Sequence, residues 1–147
     1  GGTSAEGDLA REIGFEWTVE GLETLYIRSK LLVVARAKRV HNPMTGLVSG
    51  LADLDAVERF ARQARTLGYS GMMVIHPSHI PVVNRVFTPS ATEVDRAREV
   101  VHVLNAAAVD GIGAVDHDGR MIDVAMARTA QHLLADAERI RAEEDGR

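Results

Sequence analysis

Three stretches of this 147-residue chain combine residue types and spacings that could do chemistry. The first is Glu6-Gly7-Asp8, in a glycine-rich opening. A carboxylate just beyond a glycine turn is a natural ligand for Mg²⁺, which wants hard oxygen donors and takes only one or two carboxylates beside water and substrate. The same Asp8 also suits an exposed acidic cap on the turn from Leu9 to Gly14. The second stretch is Ile75-His76-Pro77-Ser78-His79, directly after an apolar run. Catalytic groups in parallel barrels sit at the C-terminal ends of strands, and these histidines fall at such a place. Spaced i, i+3 they also suit a metal, although no third ligand follows at a recognisable spacing. Shaping the loop around Pro77 is their plainer use. The third stretch is Asp118-Gly119-Arg120-Met121-Ile122-Asp123. Asp118 belongs to a tight turn. Asp123 closes a strand ahead of a helix, a place for an N-cap. It is equally a place for a carboxylic acid on a movable element, able to protonate a carbanion when a lid closes.

These groups need elements to hold them. Leu22, Leu25, Tyr26, Leu32 and Val33 predict a helix from about Val19 to Arg39 with Thr18 as its N-cap, although Leu31 to Val34 would also suit a strand. Asn42-Pro43 interrupts it, because a residue before proline is held extended. Gly46–Ser49 then reads as a short strand. Asp53 opens a helix with the stripe Leu54, Val57, Phe60, Ala61, Ala64 and Leu67, and Gly68 stands where a C-terminal cap belongs. Gly71–Ile75 is apolar on both faces, as in a strand buried within a parallel sheet. Helix, strand, helix, strand with short connections is the α/β repeat of a parallel sheet or barrel.

The remainder is mainly helical. Ser78–Phe87 predicts a short helix ended near Pro89. Ser90 and Glu93 form a capping box ahead of Val94, Ala97, Val100, Val101 and Leu104. Asp118-Gly119 joins strands at 112–115 and 120–122 into a small β-hairpin. A last helix, about Val124 to Arg141, carries Met126, Ala130, Leu133, Leu134 and Ala137 on one stripe. The expected division is an α/β part over residues 1–88 and a helical part over 89–147.

Composition narrows the function classes. With 46% hydrophobic and 26% charged residues the chain is of ordinary globular type. A net charge of −4 offers no basic footprint for nucleic acid. The absence of cysteine excludes disulfides, thiolate metal sites and cysteine nucleophiles, and suits a reducing cytoplasm. No apolar run approaches the roughly 20 residues of a membrane span. Gly1–Asp8 also lacks the basic stretch of a secretory signal. The expectation is a cytoplasmic protein with neither nucleic-acid nor membrane partners.

Seven short motifs occur in collinear order: Gly7-Asp8-Leu9-Ala10 with Gly14, Leu25-Tyr26-Ile27-Arg28-Ser29-Lys30, Ala35-Arg36-Ala37, Ala64-Arg65-Thr66-Leu67-Gly68-Tyr69-Ser70-Gly71, Ile75-His76-Pro77-Ser78, Phe87-Thr88-Pro89-Ser90, and Asp118-Gly119-Arg120-Met121-Ile122-Asp123. Together they resemble the C-terminal half of the HpcH/HpaI aldolase and citrate lyase β-subunit family. The resemblance implies the C-terminal part of a (β/α)₈ TIM barrel, about strands 6–8, followed by a helical lid segment with a small hairpin. A full barrel takes roughly 250 residues, so the family's upstream segment, with a phosphate-contacting arginine and a metal-binding glutamate, falls outside this chain.

The implied activity is a Mg²⁺-dependent carbon–carbon lyase on a β-hydroxyacyl-CoA of malyl-CoA or citramalyl-CoA type. Asp8 would ligate Mg²⁺ and Asp123 would be the catalytic proton donor. His76, Pro77 and His79 would contact substrate or CoA. The partners would be an acyl-CoA, a 2-oxo acid and further copies of the chain, as a trimer or hexamer with the lid lent by a neighbouring subunit. His79 stands where glutamine is common in the family, and Pro43-Met44-Thr45-Gly46 where Ile-Asp-Gly is frequent. These differences bear on acyl or CoA recognition. Two other functions stay open: a CoA-independent aldolase on hydroxy-oxo acids, and a non-catalytic lid or assembly module.

Overall fold

The computed structural model describes residues 5–108 and 113–146. The chain divides into two compact units, Gly1–Phe87 and Thr88–Arg147.

In the first unit the core is organised by α3 (Leu54–Leu67). The Asp53 carboxylate accepts the Ala56 amide at 2.9 Å and starts the helix. Gly68, at φ +106°, ends it by returning its N–H to the last turn. Between these caps Ala56, Val57, Phe60, Ala61 and Ala64 fall on one buried stripe. The first four meet Val82, Val83 and Val86 of α4 (His79–Phe87), together with Val48 and Met72, while Ala64 packs with Leu32 and Tyr69. The Trp17 ring packs on Phe60 at 5.7 Å between centroids.

Two parallel strands lie beside this core. β1 (Met44–Thr45) pairs with β2 (Gly71–Met72) in the register Met44↔Gly71, Thr45↔Met72. Flanking bonds from Ser70 N to Pro43 O and from Met73 N to Thr45 O lengthen the ladder. The strand expected at Gly46–Ser49 therefore forms two residues earlier, directly after Pro43. Val48 still enters the core, but from a loop. The strand expected over Gly71–Ile75 is confined to its first two residues. Among the described residues no third strand joins this sheet.

A long helix, α2 (Leu22–Ala37), corrects a second expectation. It continues through Leu31 to Val34 without a strand, but its buried residues are Thr24, Arg28 and Leu32. Leu22, Tyr26 and Val33, expected inside, are 75%, 72% and 68% exposed. Polar contacts hold the buried face, where Thr24 Oγ1 donates to Gly21 O at 3.1 Å. Arg28 Nη2 donates to Gly21 O at 3.1 Å and to Gln63 Oε1 at 2.6 Å, and its guanidinium lies 5.0 Å from the Phe60 ring centroid. Thr18 does not occupy the N-cap position. Gly21 does, at φ +62°, while Thr18 N and Oγ1 donate to the Glu23 carboxylate at 2.8 and 2.9 Å. Ahead of this helix lies α1 (Ala5–Ile13), ended by Gly14 at φ +86°.

The second unit is two helices and a hairpin. α5 (Ala91–Ala108) starts at the expected capping box, where Ser90 N donates to Glu93 Oε2 at 2.8 Å and Glu93 N to Ser90 Oγ at 3.3 Å. β3 (Ala114–His117) and β4 (Arg120–Asp123) pair antiparallel in the register Ala114↔Asp123, Val115↔Ile122, Asp116↔Met121, His117↔Arg120. The turn residues Asp118 and Gly119 both have positive φ, +53° and +73°, as a tight two-residue hairpin requires. The start expected at Ile112 lies outside the described residues. α6 (Val124–Asp145) runs four residues past the expected Arg141. Leu104, Ile122 and Ala127 form the small core of this unit, with Val100, Val103 and Val115 packed against it. Among the described residues no helix is long and apolar enough to cross a membrane.

Candidate functional site

The β2–α4 connection carries the two histidines. Its residues 73–78 are not helical, and α4 begins when His79 N and Ile80 N bond back to His76 O and Pro77 O, both at 3.1 Å. His76 and Pro77 are exposed at this bend. His76 Nδ1 lies 2.7 Å from Ser78 Oγ and accepts the Ser78 amide at 3.3 Å. That bonding places the ring proton on Nε2, the nitrogen left to meet a ligand. His79 behaves differently. Its ring is wholly buried, and Nε2 lies 3.2 Å from Leu51 O. A carbonyl only accepts, so Nε2 carries the proton, and Nδ1 is buried without a partner among the described residues. The ligand contact expected of His79 is not available to a side chain so placed. It ties the α4 N-terminus to the loop that precedes Asp53. The two rings stand 6.0 Å apart between centroids, tilted by 57°.

Asp8 lies inside α1, not at a strand end after a glycine turn, because Ala5 to Ile13 forms a continuous helix. Its carboxylate is 71% exposed and pairs with Arg11 Nη1 at 3.5 Å, one helical turn on. The side chain of Glu6 lies outside the described residues.

Asp123 ends β4 and caps α6, with Oδ1 accepting the Met126 amide at 2.8 Å. Among the described residues its second oxygen makes no hydrogen bond. The carboxyl borders a groove of about 440 Å³ between α5 and α6, walled mostly by apolar side chains such as Ala97, Val100, Met126, Ala130 and Leu133. An acid beside such a wall stands where an apolar part of a ligand could lie.

Sequence reasoning missed a further cluster in this unit. Glu99 on α5 and His117 and Asp118 on the hairpin bring one ligand atom each within 4.8 Å of one another. His117 Nε2 meets Glu99 Oε1 at 2.9 Å and Asp118 Oδ2 at 4.0 Å. The bond to Glu99 holds the imidazole above its ordinary pKa, against a smaller effect of burial, and Asp118 and Asp116 add to the rise. A histidine so placed favours a proton, so this is ion-pair chemistry. No local spacing marks it, since 18 residues separate the partners.

No protein-family model matches this chain. Individual relatives do. A citrate lyase subunit beta-like protein of Deinococcus radiodurans is 35% identical over 128 residues, 87% of this chain and 45% of the relative. An L-malyl-CoA/beta-methylmalyl-CoA lyase of Cereibacter sphaeroides is 36% identical over 111 residues, 74% of this chain and 35% of the relative. The chain belongs to the citrate lyase β-subunit family. It spans less than half the length of these curated relatives. The solved family structure of Mycobacterium tuberculosis CitE, in complex with magnesium, acetoacetate and coenzyme A, matches with a TM-score of 0.73 at 27% identity. That match covers 90% of this chain and 49% of CitE. The family assignment thus rests on sequence and on fold, through an α/β chain that is mostly helical.

Proposed function

We propose that this chain is part of a Mg²⁺-dependent carbon–carbon lyase acting on a β-hydroxyacyl-CoA of malyl-CoA or citramalyl-CoA type. It would release or condense an acetyl-CoA-like unit and a 2-oxo acid. The observation that carries this reading is the match of nine-tenths of the chain to a structure holding magnesium, acetoacetate and coenzyme A. On this reading the first unit is the C-terminal portion of a TIM barrel and the second is a lid. The enzyme would be a cytoplasmic homo-oligomer, trimeric or hexameric, that lends the lid between neighbours.

Asp8 suits one position in a Mg²⁺ site. Its carboxylate is exposed, and its pairing with Arg11 is solvent-screened and easily exchanged. Magnesium binds through one or two carboxylates and fills its octahedron with water and substrate. When bound, it supplies Lewis-acid polarisation of the 2-oxo acid oxygens. The chain's own residues do the rest. Asp123, through the oxygen that does not cap α6, would be the acid that gives a proton to the acyl-CoA α-carbon as the carbon–carbon bond breaks and the substrate hydroxyl yields its own proton to water. The groove beside Asp123 offers the acyl chain an apolar wall next to that carboxyl. His76, through Nε2–H, and Pro77 offer a rim for CoA, while His79 sets the loop from beneath.

The test starts from the polypeptide that carries these residues in its host, with its intact mass recorded. It is incubated with malyl-CoA and citramalyl-CoA, with and without Mg²⁺. Release of a 2-oxo acid that stops on chelation, and that Asp8→Ala shifts to higher Mg²⁺ demand, is the expected result. A folded, Mg²⁺-supplied enzyme that cleaves neither thioester, yet cleaves free hydroxy-oxo acids, would overturn it in favour of a CoA-independent aldolase.

A further inference from the structure

The hairpin that carries Asp123 is held on α5 by two unlike rungs. Its inward side chains are Val115 and His117 on β3, while Ala114 and Asp116 face solvent. Across the ladder, Ile122 is buried opposite Val115, and Arg120 stands opposite His117. The Val115/Ile122 rung sits in the core with Leu104 and Ala127. The His117 rung is at the turn end, where the His117–Glu99 contact of 2.9 Å ties it to α5. Glu99 lies one helical turn before Val103, so a single face of α5 presents apolar surface to one end of the hairpin and a carboxylate to the other.

We propose that the His117–Glu99 pair is a positioning clasp that fixes the angle of the hairpin on α5 and thereby the placement of Asp123. A strand rises roughly 3.3 Å per residue, so Asp123 lies roughly 10 Å along β4 from Arg120. With one apolar rung as pivot, release of the turn end lets the opposite end swing, and Asp123 is at that end, paired with Ala114. Its bond to Met126 fixes it to the start of α6, where Ala127 packs with Leu104 of α5, so the clasp acts on the angle that this packing leaves open. The inference rests on the reading of Asp123 as the acid of the site.

The surroundings of the clasp set its pH dependence. Glu99, Asp118 and Asp116 act on His117, and Asp95 of α5 lines the same cleft. The opposing cations there are Arg96 of α5 and Arg120 of β4, while α6 contributes the uncharged Met126. The net surroundings favour the imidazolium, in keeping with the raised pKa of His117. The clasp is therefore complete below the ordinary histidine value of 6.5 and is lost as pH rises through the raised one.

The test is amide exchange by NMR on the whole chain, read as protection factors for Arg120–Asp123. In the wild type, protection falls by about threefold as pH rises across the His117 titration, the scale expected of an exposed ion pair. Glu99→Gln lowers protection at acidic pH to the alkaline level and removes the pH dependence. His117→Lys, cationic throughout, keeps the protection at alkaline pH. In the active enzyme it also lifts the alkaline fall of kcat without moving KM. Equal wild-type protection at both pH limits, or a Glu99→Gln chain that keeps the pH dependence, overturns the clasp. The exchange data concern the hairpin alone, so that failure leaves Asp123 as acid untouched. Full activity in Asp123→Asn would sink the acid and leave the clasp standing.

Discussion

Asp123 Oδ1 accepts the Met126 amide at 2.8 Å, so this carboxylate already has a structural task before any chemistry is assigned to it. The two tasks separate by substitution. Asparagine caps a helix about as well as aspartate but carries no acidic proton. Asp123→Asn is expected to keep the helicity of α6 and to lower kcat of the lyase by about 10²- to 10³-fold. Asp123→Ala loses the cap as well, at about 1 kcal/mol of stability. Circular dichroism beside steady-state kinetics distinguishes the two. Equal kcat for the asparagine and wild-type enzymes would reduce Asp123 to a cap.

Phe60 joins the first unit's core to its only tryptophan. The side chain is fully buried and packs on Trp17 at 5.7 Å, with Arg28 at 5.0 Å from the same ring. Phe60→Ala removes a ring that α3, the Trp17 segment and α2 all contact, and is expected to cost about 3–5 kcal/mol. Phe60→Leu keeps most of the volume and is expected to cost about 1.5 kcal/mol. Trp17 fluorescence during urea unfolding reads both, and its native emission should shift red in the alanine variant. A loss under 1 kcal/mol for Phe60→Ala would mean that the core repacks around the gap.

The parts of the fold legible in the sequence are those where periodicity and caps agree. α3 has Asp53 before it, Gly68 after it and apolar residues at helical spacing between, so both ends and most of its stripe could be named, although Leu54 is exposed and Ala56 is buried instead. The hairpin declares itself through Asp118-Gly119, whose positive φ values few other residue pairs tolerate. α2 is the contrary case. Its buried face holds Thr24 and Arg28 while Leu22 and Tyr26 stay exposed, which inverts the hydrophobic ranking any pattern relies on. Arg28 is tied in by Nη2, which donates to Gly21 and Gln63, and neither partner is adjacent in sequence. The same limit applies at the site. Asp123 is visible as a cap from its neighbours alone, whereas the Glu99–His117 contact depends on hairpin register. The burial of His79 depends on the path of the Leu51 loop.

His79 is expected to matter for stability more than for affinity. Its Nε2 holds the Leu51 carbonyl, and the ring is completely enclosed. His79→Ala leaves both a cavity and an unpaired carbonyl, an expected cost of about 3 kcal/mol. His79→Gln retains an N–H donor of similar reach and is expected to cost about 1 kcal/mol. Urea unfolding measures the loss, and KM for the acyl-CoA should stay within about twofold in the glutamine variant. A large rise in KM with unchanged stability would instead place His79 against the ligand.

Acid should loosen the start of α2 before it loosens α3. Burial is the largest influence on Glu23 and pulls its carboxyl upward. The Thr18 amide, the Glu23 amide and the Thr18 hydroxyl, with Arg28 nearby, outweigh it and hold the carboxyl below its ordinary value of 4.5. A depressed folded-state pKa means a contribution that is fully present above the unfolded value and lost as pH falls through the folded one. Amide protection at the first turn of α2 should therefore be constant above about pH 5 and decline below about pH 4. Glu23→Gln should remove that acid dependence while lowering protection at neutral pH. Protection at Leu22 to Leu25 that declines in parallel with α3, in wild type and variant alike, would mean that acid acts through global unfolding and not through this carboxylate.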